Sequence, residues 1–81
     1  FLSGERSISE NIAMLKDYKA RCLNELEELD KAMGNIERYR QIAEVNQDSV
    51  YWQLTARFGT LHIKACHDFA EEAIKTLEGL Q

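Results

Sequence analysis

Three side chains in the second half of the sequence, His62, Cys66 and His67, have the chemistry of metal ligands. His62 and Cys66 are four residues apart, so a helix would place both on one face, a workable spacing for two ligands. His67 would point about 100° away from them on the same helix. The sequence has no Cys-x-x-Cys and no Glu-x-x-His motif, which are typical of zinc modules and di-iron bundles. We therefore interpret Cys66 as a small buried residue, the histidines as partly exposed, and predict no metal site.

A cysteine nucleophile beside a histidine base is the second chemistry that this cluster could perform. Such catalysis also needs an orienting group and an oxyanion hole in a cleft. Two helices, which the apolar periodicity predicts, provide little concavity and few free backbone N–H groups. We therefore predict no enzyme, no catalytic residue and no cofactor.

The aromatic residues near the start of the second helix are candidates for binding a ligand or a partner. The side chains of Tyr51 and Trp52 diverge by about 100°, so one is expected to face the hairpin and the other a partner chain or solvent. Trp52 and Phe58 could line a flat pocket for a small aromatic ligand in a dimer cleft. The alternative, which we favour, is an aromatic core or dimer anchor.

The composition excludes several classes of function. Ten Lys and Arg against 14 Asp and Glu give a net charge of −4, which argues against nucleic-acid binding by this chain alone. The longest apolar run, residues 12–15, is far shorter than the roughly 20 residues that span a membrane. Two cysteines, Cys22 and Cys66, make no disulfide framework, so a reduced, cytoplasmic setting is expected. Because the sequence starts at Phe1 rather than methionine, we interpret residues 1–81 as one domain of a longer protein.

The elements that must position these residues are predicted to be two long helices. There is no proline and there are only four glycines, too few turn residues for many short strands. Ser7 and Glu10 have capping-box spacing, which predicts a helix start near Ile8. Apolar residues then recur every seven positions, at Ile8, Leu15, Cys22, Leu29 and Ile36. The helix could end near Met33, before Gly34, but the continuing apolar phase favours a continuous or slightly kinked helix to about Glu44.

The second helix is predicted to follow the loop at residues 46–49, capped by Asp48 or Ser49. It should run from Val50 to about Glu78, with Gly79 as its stop. Its apolar stripe is Tyr51, Leu54, Phe58, Leu61 or His62, Ala65, Phe69, Ala73 and Leu77.

The predicted fold is therefore an all-α, coiled-coil-like hairpin of two antiparallel helices. Two packed helices leave part of their wide apolar stripes exposed to water, because no third element covers them. A second copy of the chain is therefore expected to bury these stripes in a homodimer. The residues predicted to form the core or the dimer contact are Ile12, Leu15, Cys22, Leu26, Leu29, Tyr51, Leu54, Phe58, Leu61 and Phe69.

Two stretches of the sequence resemble the C-terminal part of PadR-family transcriptional regulators. Residues 1–4, Phe-Leu-Ser-Gly, precede a capped helix containing Tyr-Lys-Ala-Arg at 18–21, like the segment after that family's winged helix. Residues 51–59, Tyr-Trp-Gln-Leu-Thr-Ala-Arg-Phe-Gly, resemble the start of the family's last helix. Residues 67–73, His-Asp-Phe-Ala-Glu-Glu-Ala, are similar to the run that closes that helix.

The resemblance is to the virulence-activator alpha (AphA-like) type of C-terminal domain. It implies a dimerisation domain that pairs antiparallel helices, with Tyr51, Leu54, Phe58 and Gly59 in the dimer contact. It also implies that DNA is bound only by an N-terminal winged helix outside this sequence. No residue matches a specific ligand motif, so a small-molecule effector stays open. The competing hypotheses are a free-standing helical adaptor that binds another protein, and a domain that senses small aromatic ligands.

Overall fold

The computed structural model describes residues 2–42 and 47–81, without the side chains of 36, 37, 39–42, 47 and 48. Two helices make up this part of the chain: α1, Ile8–Ile42, and α2, Gln47–Glu78. They contain 35 and 32 residues and pack against each other along their length. The antiparallel direction follows from contacts such as Gln81 Nε2 donating to Ser9 Oγ at 3.1 Å. The predicted all-α hairpin is therefore confirmed.

The start of α1 is set by a side-chain cap. The Glu10 N–H donates to Ser7 Oγ at 3.1 Å, and the Asn11 N–H donates to the Ser7 carbonyl at the same distance. The first bond satisfies a donor of the first turn that has no backbone partner within the helix, and the second is the first regular bond of the helix, accepted by the N-cap carbonyl. The predicted helix start near Ile8 is confirmed.

Helix α1 passes through Gly34 without interruption. Gly34 has no positive φ, and nothing lies within 4 Å of a Cβ added to it. The predicted continuity at this glycine is confirmed, and the alternative end near Met33 is wrong. The predicted end at Glu44 and the side chain of Ile36 lie outside the described residues.

The loop predicted at residues 46–49 is wrong for its last three residues. Gln47, Asp48 and Ser49 already belong to α2, which begins three residues before the predicted Val50. Ser49 is buried and lies one heptad before buried Ala56, so the inner face of α2 extends back to it. Asp48 and Ser49 therefore lie within α2 rather than at its N-cap position; Asn46 lies outside the described residues.

The C-terminal end of α2 agrees with the prediction. The helix ends at Glu78, and the Gly79 N–H donates to the Lys75 carbonyl at 3.1 Å. The Leu80 N–H donates to the Leu77 carbonyl at 3.0 Å, which tightens the final turn.

The hydrophobic core lies at the end of the hairpin that carries the two chain termini. Its buried members are Ile12, Leu15, Ala70 and Ile74, with Ile8, Tyr18, Ala73 and Leu77 packed around them. One interhelical ion pair borders this core, with Lys19 Nζ 3.5 Å from Glu71 Oε1. None of the helical segments described is long and apolar enough to cross a membrane.

Candidate interaction surface of the second helix

Helix α2 carries two apolar faces, of which one packs against α1. The inner face has small or branched residues at intervals of seven: Ser49, Ala56, Ile63 and Ala70. Ile63 is half-buried, and the other three are buried. Sequence reasoning missed this face because large residues dominated the periodicity. The heptad spacing of Ala56, Ile63 and Ala70 is the signal that could have found it.

The second face is exposed in the hairpin, and we call it the outer stripe: Tyr51, Leu54, Phe58, Leu61 and Phe69. Phe58 is 71% exposed and Leu54 is 59% exposed. Spacings of three, four and eight residues place all five side chains on one side of the helix. They are the α2 residues that the sequence predicted for core or dimer contact. They do not form the core of the single chain, and their place in a dimer contact stays a prediction.

The residues predicted on α1 lie nearer the hairpin interior. Ile12, Leu15 and Cys22 are buried, and Leu15 has no exposed surface. Leu26 and Leu29 are half-buried. The heptad stripe of α1 therefore faces α2 in the first half of the helix, and burial decreases toward its middle.

The structure brings Trp52 and Phe58 to one apolar groove between the helices. The groove has a volume of about 760 Å³. It is lined by Leu29, Trp52, Thr55, Ala56, Phe58, Gly59 and Ile63, with Glu25 and Glu28 also lining it from α1. The sequence predicted the two aromatic residues as a candidate pocket; Leu29, Ile63 and the two carboxylates were not predicted there. Trp52 and Tyr51 are each 57% exposed, so neither is enclosed by the hairpin.

The His62–Cys66 pair lies beside the outer stripe. Cys66 Sγ and His62 Nε2 are 4.0 Å apart, and the His62 ring stacks on Phe58 with centroids 6.1 Å apart. Across the helix interface, a hydrogen bond with Cys66, together with burial and the neighbouring Cys22, raises the pKa of Tyr18 to about 12. Burial raises the pKa of the Cys22 thiol. The cluster thus places two thiols beside a tyrosine at the helix interface.

The described residues contain one group of potential metal ligands, but it is not the pair considered from the sequence. The ligand atoms of His67, Asp68 and Glu71 lie within 4.8 Å of one another. His67 Nδ1 is 3.0 Å from Asp68 Oδ1, and Glu71 pairs with the ammonium group of Lys19. That positive charge opposes a second cation, so we assign no metal to this group. The His-x-x-x-Glu spacing is the sequence signal for it.

One comparison with known proteins gives a match. The model of the family described as "Virulence activator alpha C-term" matches residues 1–78. No curated protein and no solved structure shows significant similarity to the chain. The family description indicates a regulatory domain.

Proposed function

Because the chain belongs to the virulence activator alpha C-terminal family, we propose that it is the dimerisation domain of a PadR-like transcriptional regulator. The resemblance of residues 1–4, 51–59 and 67–73 to PadR regulators supports this parent. In such a protein the domain would act in the cytoplasm and would not touch DNA itself. Its net charge of −4 suits that role.

The main support for this proposal is the exposure of the outer stripe of α2. Five large apolar side chains are exposed along one side of a single helix, which soluble monomers avoid. A two-fold axis would bring the same stripe of a second copy against the first, so that both are buried together. Three stripe residues, Tyr51, Leu54 and Phe58, are among those that the PadR resemblance assigns to dimer packing, whereas the fourth, Gly59, faces Leu29 within the hairpin.

The mechanism follows from geometry. A dimer of stiff hairpins would hold two N-terminal winged helices at a fixed separation and orientation. Dimeric helix-turn-helix proteins read half-sites about 34 Å, or one helical turn, apart along DNA. The hairpin is 56 Å long, which is the scale needed to keep two such readers in register.

A single charge in the outer stripe tests the proposal. Phe58→Asp should convert a dimer into a folded monomer, because a buried unpaired carboxylate at the two-fold contact is costly. Leu23→Asp is the matched control: Leu23 is a 50% exposed leucine on α1, outside the stripe, and its variant should stay dimeric. Size-exclusion chromatography with light scattering gives the mass, and circular dichroism verifies the fold. A dimeric Phe58→Asp protein would overturn the assignment of the stripe.

The groove at Trp52 favours a second candidate function, the sensing of a small aromatic ligand. A volume of about 760 Å³ lies in the range of ligand sites, and aromatic side chains with carboxylates beside them suit a flat, cationic organic molecule. Trp52 is the single tryptophan, so its fluorescence reports directly on this groove. Saturable quenching by cationic aromatics, lost in Glu25→Gln with Glu28→Gln, supports this function. If none of the cationic aromatic compounds quenches Trp52 fluorescence, the ligand-sensing function is contradicted.

A further inference from the structure

The two cysteines occupy facing positions of the antiparallel helix pair. The contact of Leu29 with Gly59 sets the register, because a Cβ added to Gly59 would lie 3.5 Å from Leu29 Cδ1. Cys22 precedes Leu29 by one heptad and Cys66 follows Gly59 by one heptad. In antiparallel helices these two steps run in the same spatial direction, so Cys22 faces Cys66 as Leu29 faces Gly59.

A second observation, independent of the register, brings the thiols together. Tyr18, on α1, and Cys66, on α2, line one surface pocket, and Cys22 lies one helical turn after Tyr18 on α1. Both cysteines therefore lie beside the same tyrosine at the helix interface. The interhelical ion pair of Lys19 and Glu71, next along the hairpin, holds the helices at the same register.

From this arrangement we propose that Cys22 and Cys66 form a reversible intramolecular disulfide that joins α1 to α2. Both thiols are free in the structure. A disulfide requires the two Cβ atoms to approach within about 3.5–4.5 Å. Cys22 and Cys66 face each other one heptad from the Leu29–Gly59 contact, the kind of position at which a cross-helix disulfide can form. The site is a covalent modification site for low-molecular-weight disulfides such as oxidised glutathione.

The exchange would take place in two balanced steps. The Cys66 thiolate, half-buried and beside His62, attacks one sulfur of oxidised glutathione; the S–S bond breaks and one glutathione thiolate leaves. The Cys22 thiolate then attacks Cys66 sulfur in the mixed disulfide and releases the second glutathione. The two cysteine thiols lose two protons to solvent, the two departing glutathione thiolates take up two protons, and the two electrons from the cysteines reduce one glutathione disulfide to two thiols. Cys22 acts second because it is buried and its pKa is raised.

Intact mass spectrometry of the full chain after incubation with oxidised glutathione tests the proposal. The expected product has lost two hydrogen atoms, carries no glutathione and has no titratable thiol after denaturation. Dithiothreitol should restore the starting mass. The cross-link should raise the melting temperature by roughly 10 °C, since it closes a long loop in the unfolded chain.

Single-cysteine variants separate the two roles. Cys22→Ser should stop at a stable mixed disulfide on Cys66, and Cys66→Ser should react more slowly because its remaining thiol is buried. Circular dichroism before oxidation verifies that both variants fold. The proposal is overturned if the wild-type chain accumulates two glutathione adducts, forms only cross-links between chains, or keeps both thiols free. None of these outcomes bears on the outer stripe, so they leave the proposed dimerisation untouched.

Discussion

Leu29 lies directly against Gly59 where the two helices pack. A Cβ added to Gly59 would meet Leu29 Cδ1 at 3.5 Å and Cδ2 at 3.8 Å. These are ordinary van der Waals distances. The space beside Gly59 would therefore accept the methyl group of an alanine without a clash. The contact places the middle of α1 against the first half of α2 and borders the groove at Trp52.

Gly59→Ala should therefore stabilise the hairpin. A glycine inside a helix costs about 1 kcal/mol relative to alanine, and the new methyl group would gain contact with Leu29 rather than clash. Urea unfolding followed by circular dichroism measures the change. Gly34→Ala is the matched control, since nothing lies within 4 Å of its added Cβ, and it should stabilise by a similar amount. Destabilisation by Gly59→Ala alone would mean that the helices approach more closely than described.

Leu15→Ala should be the most damaging of the single leucine truncations. Leu15 is fully buried in the core formed with Ile12, Ala70 and Ile74. Removing a buried leucine side chain costs about 2–5 kcal/mol through lost burial and the cavity left behind. Thermal unfolding should show a large fall in melting temperature, whereas Leu23→Ala, at an exposed site, should change it little. Equal effects of the two variants would contradict the position of the core.

Ser7→Ala should weaken the start of α1. The Ser7 hydroxyl accepts the Glu10 N–H, and loss of such a cap costs about 1 kcal/mol. Ser7→Asp restores an oxygen acceptor and should recover the stability, which separates capping from any other role of the serine. Chemical denaturation of both variants measures this difference. No loss in the alanine variant would exclude the cap as a source of stability.

Stability should fall between about pH 10 and pH 12 because of Tyr18. Its hydrogen bond to Cys66, with burial, raises its pKa from 10.0 to about 12 in the folded chain. A raised pKa means that the folded state favours the neutral phenol, so this contribution is complete below pH 10 and is lost as pH rises through 12. Melting temperatures at pH 9 and pH 11.5 measure the loss. The Tyr18→Phe variant should lose less over the same range, and an identical loss would contradict the assignment.

The sequence was sufficient to predict α1 but only part of α2. Along α1 the large apolar residues Leu15 and Leu29 are also those that face α2, so periodicity and burial agree. On α2 the periodicity of the large residues and the burial differ, because small residues such as Ala56 and Ala70 form the buried inner face. The large side chains, with Phe58 the most exposed, then remain outside. Hydropathy gives most weight to the large residues and so cannot tell which of two apolar faces the hairpin itself buries.

The start of α2 was mispredicted for a related reason. Asp48 and Ser49 are typical of a helix cap, and their side chains gave the strongest local signal. Ser49 instead continues the heptad of Ala56 and is buried within the helix. A tertiary contact therefore outweighs a local preference at this position.

In the proposed dimer, the outer stripe of α2 pairs two copies of the chain. Sedimentation equilibrium of the wild-type chain across the micromolar range tests this pairing most directly. We expect a reversible species of twice 9.4 kDa that dissociates on dilution. A mass of 9.4 kDa at every concentration would contradict it and would favour an adaptor whose stripe binds a different protein.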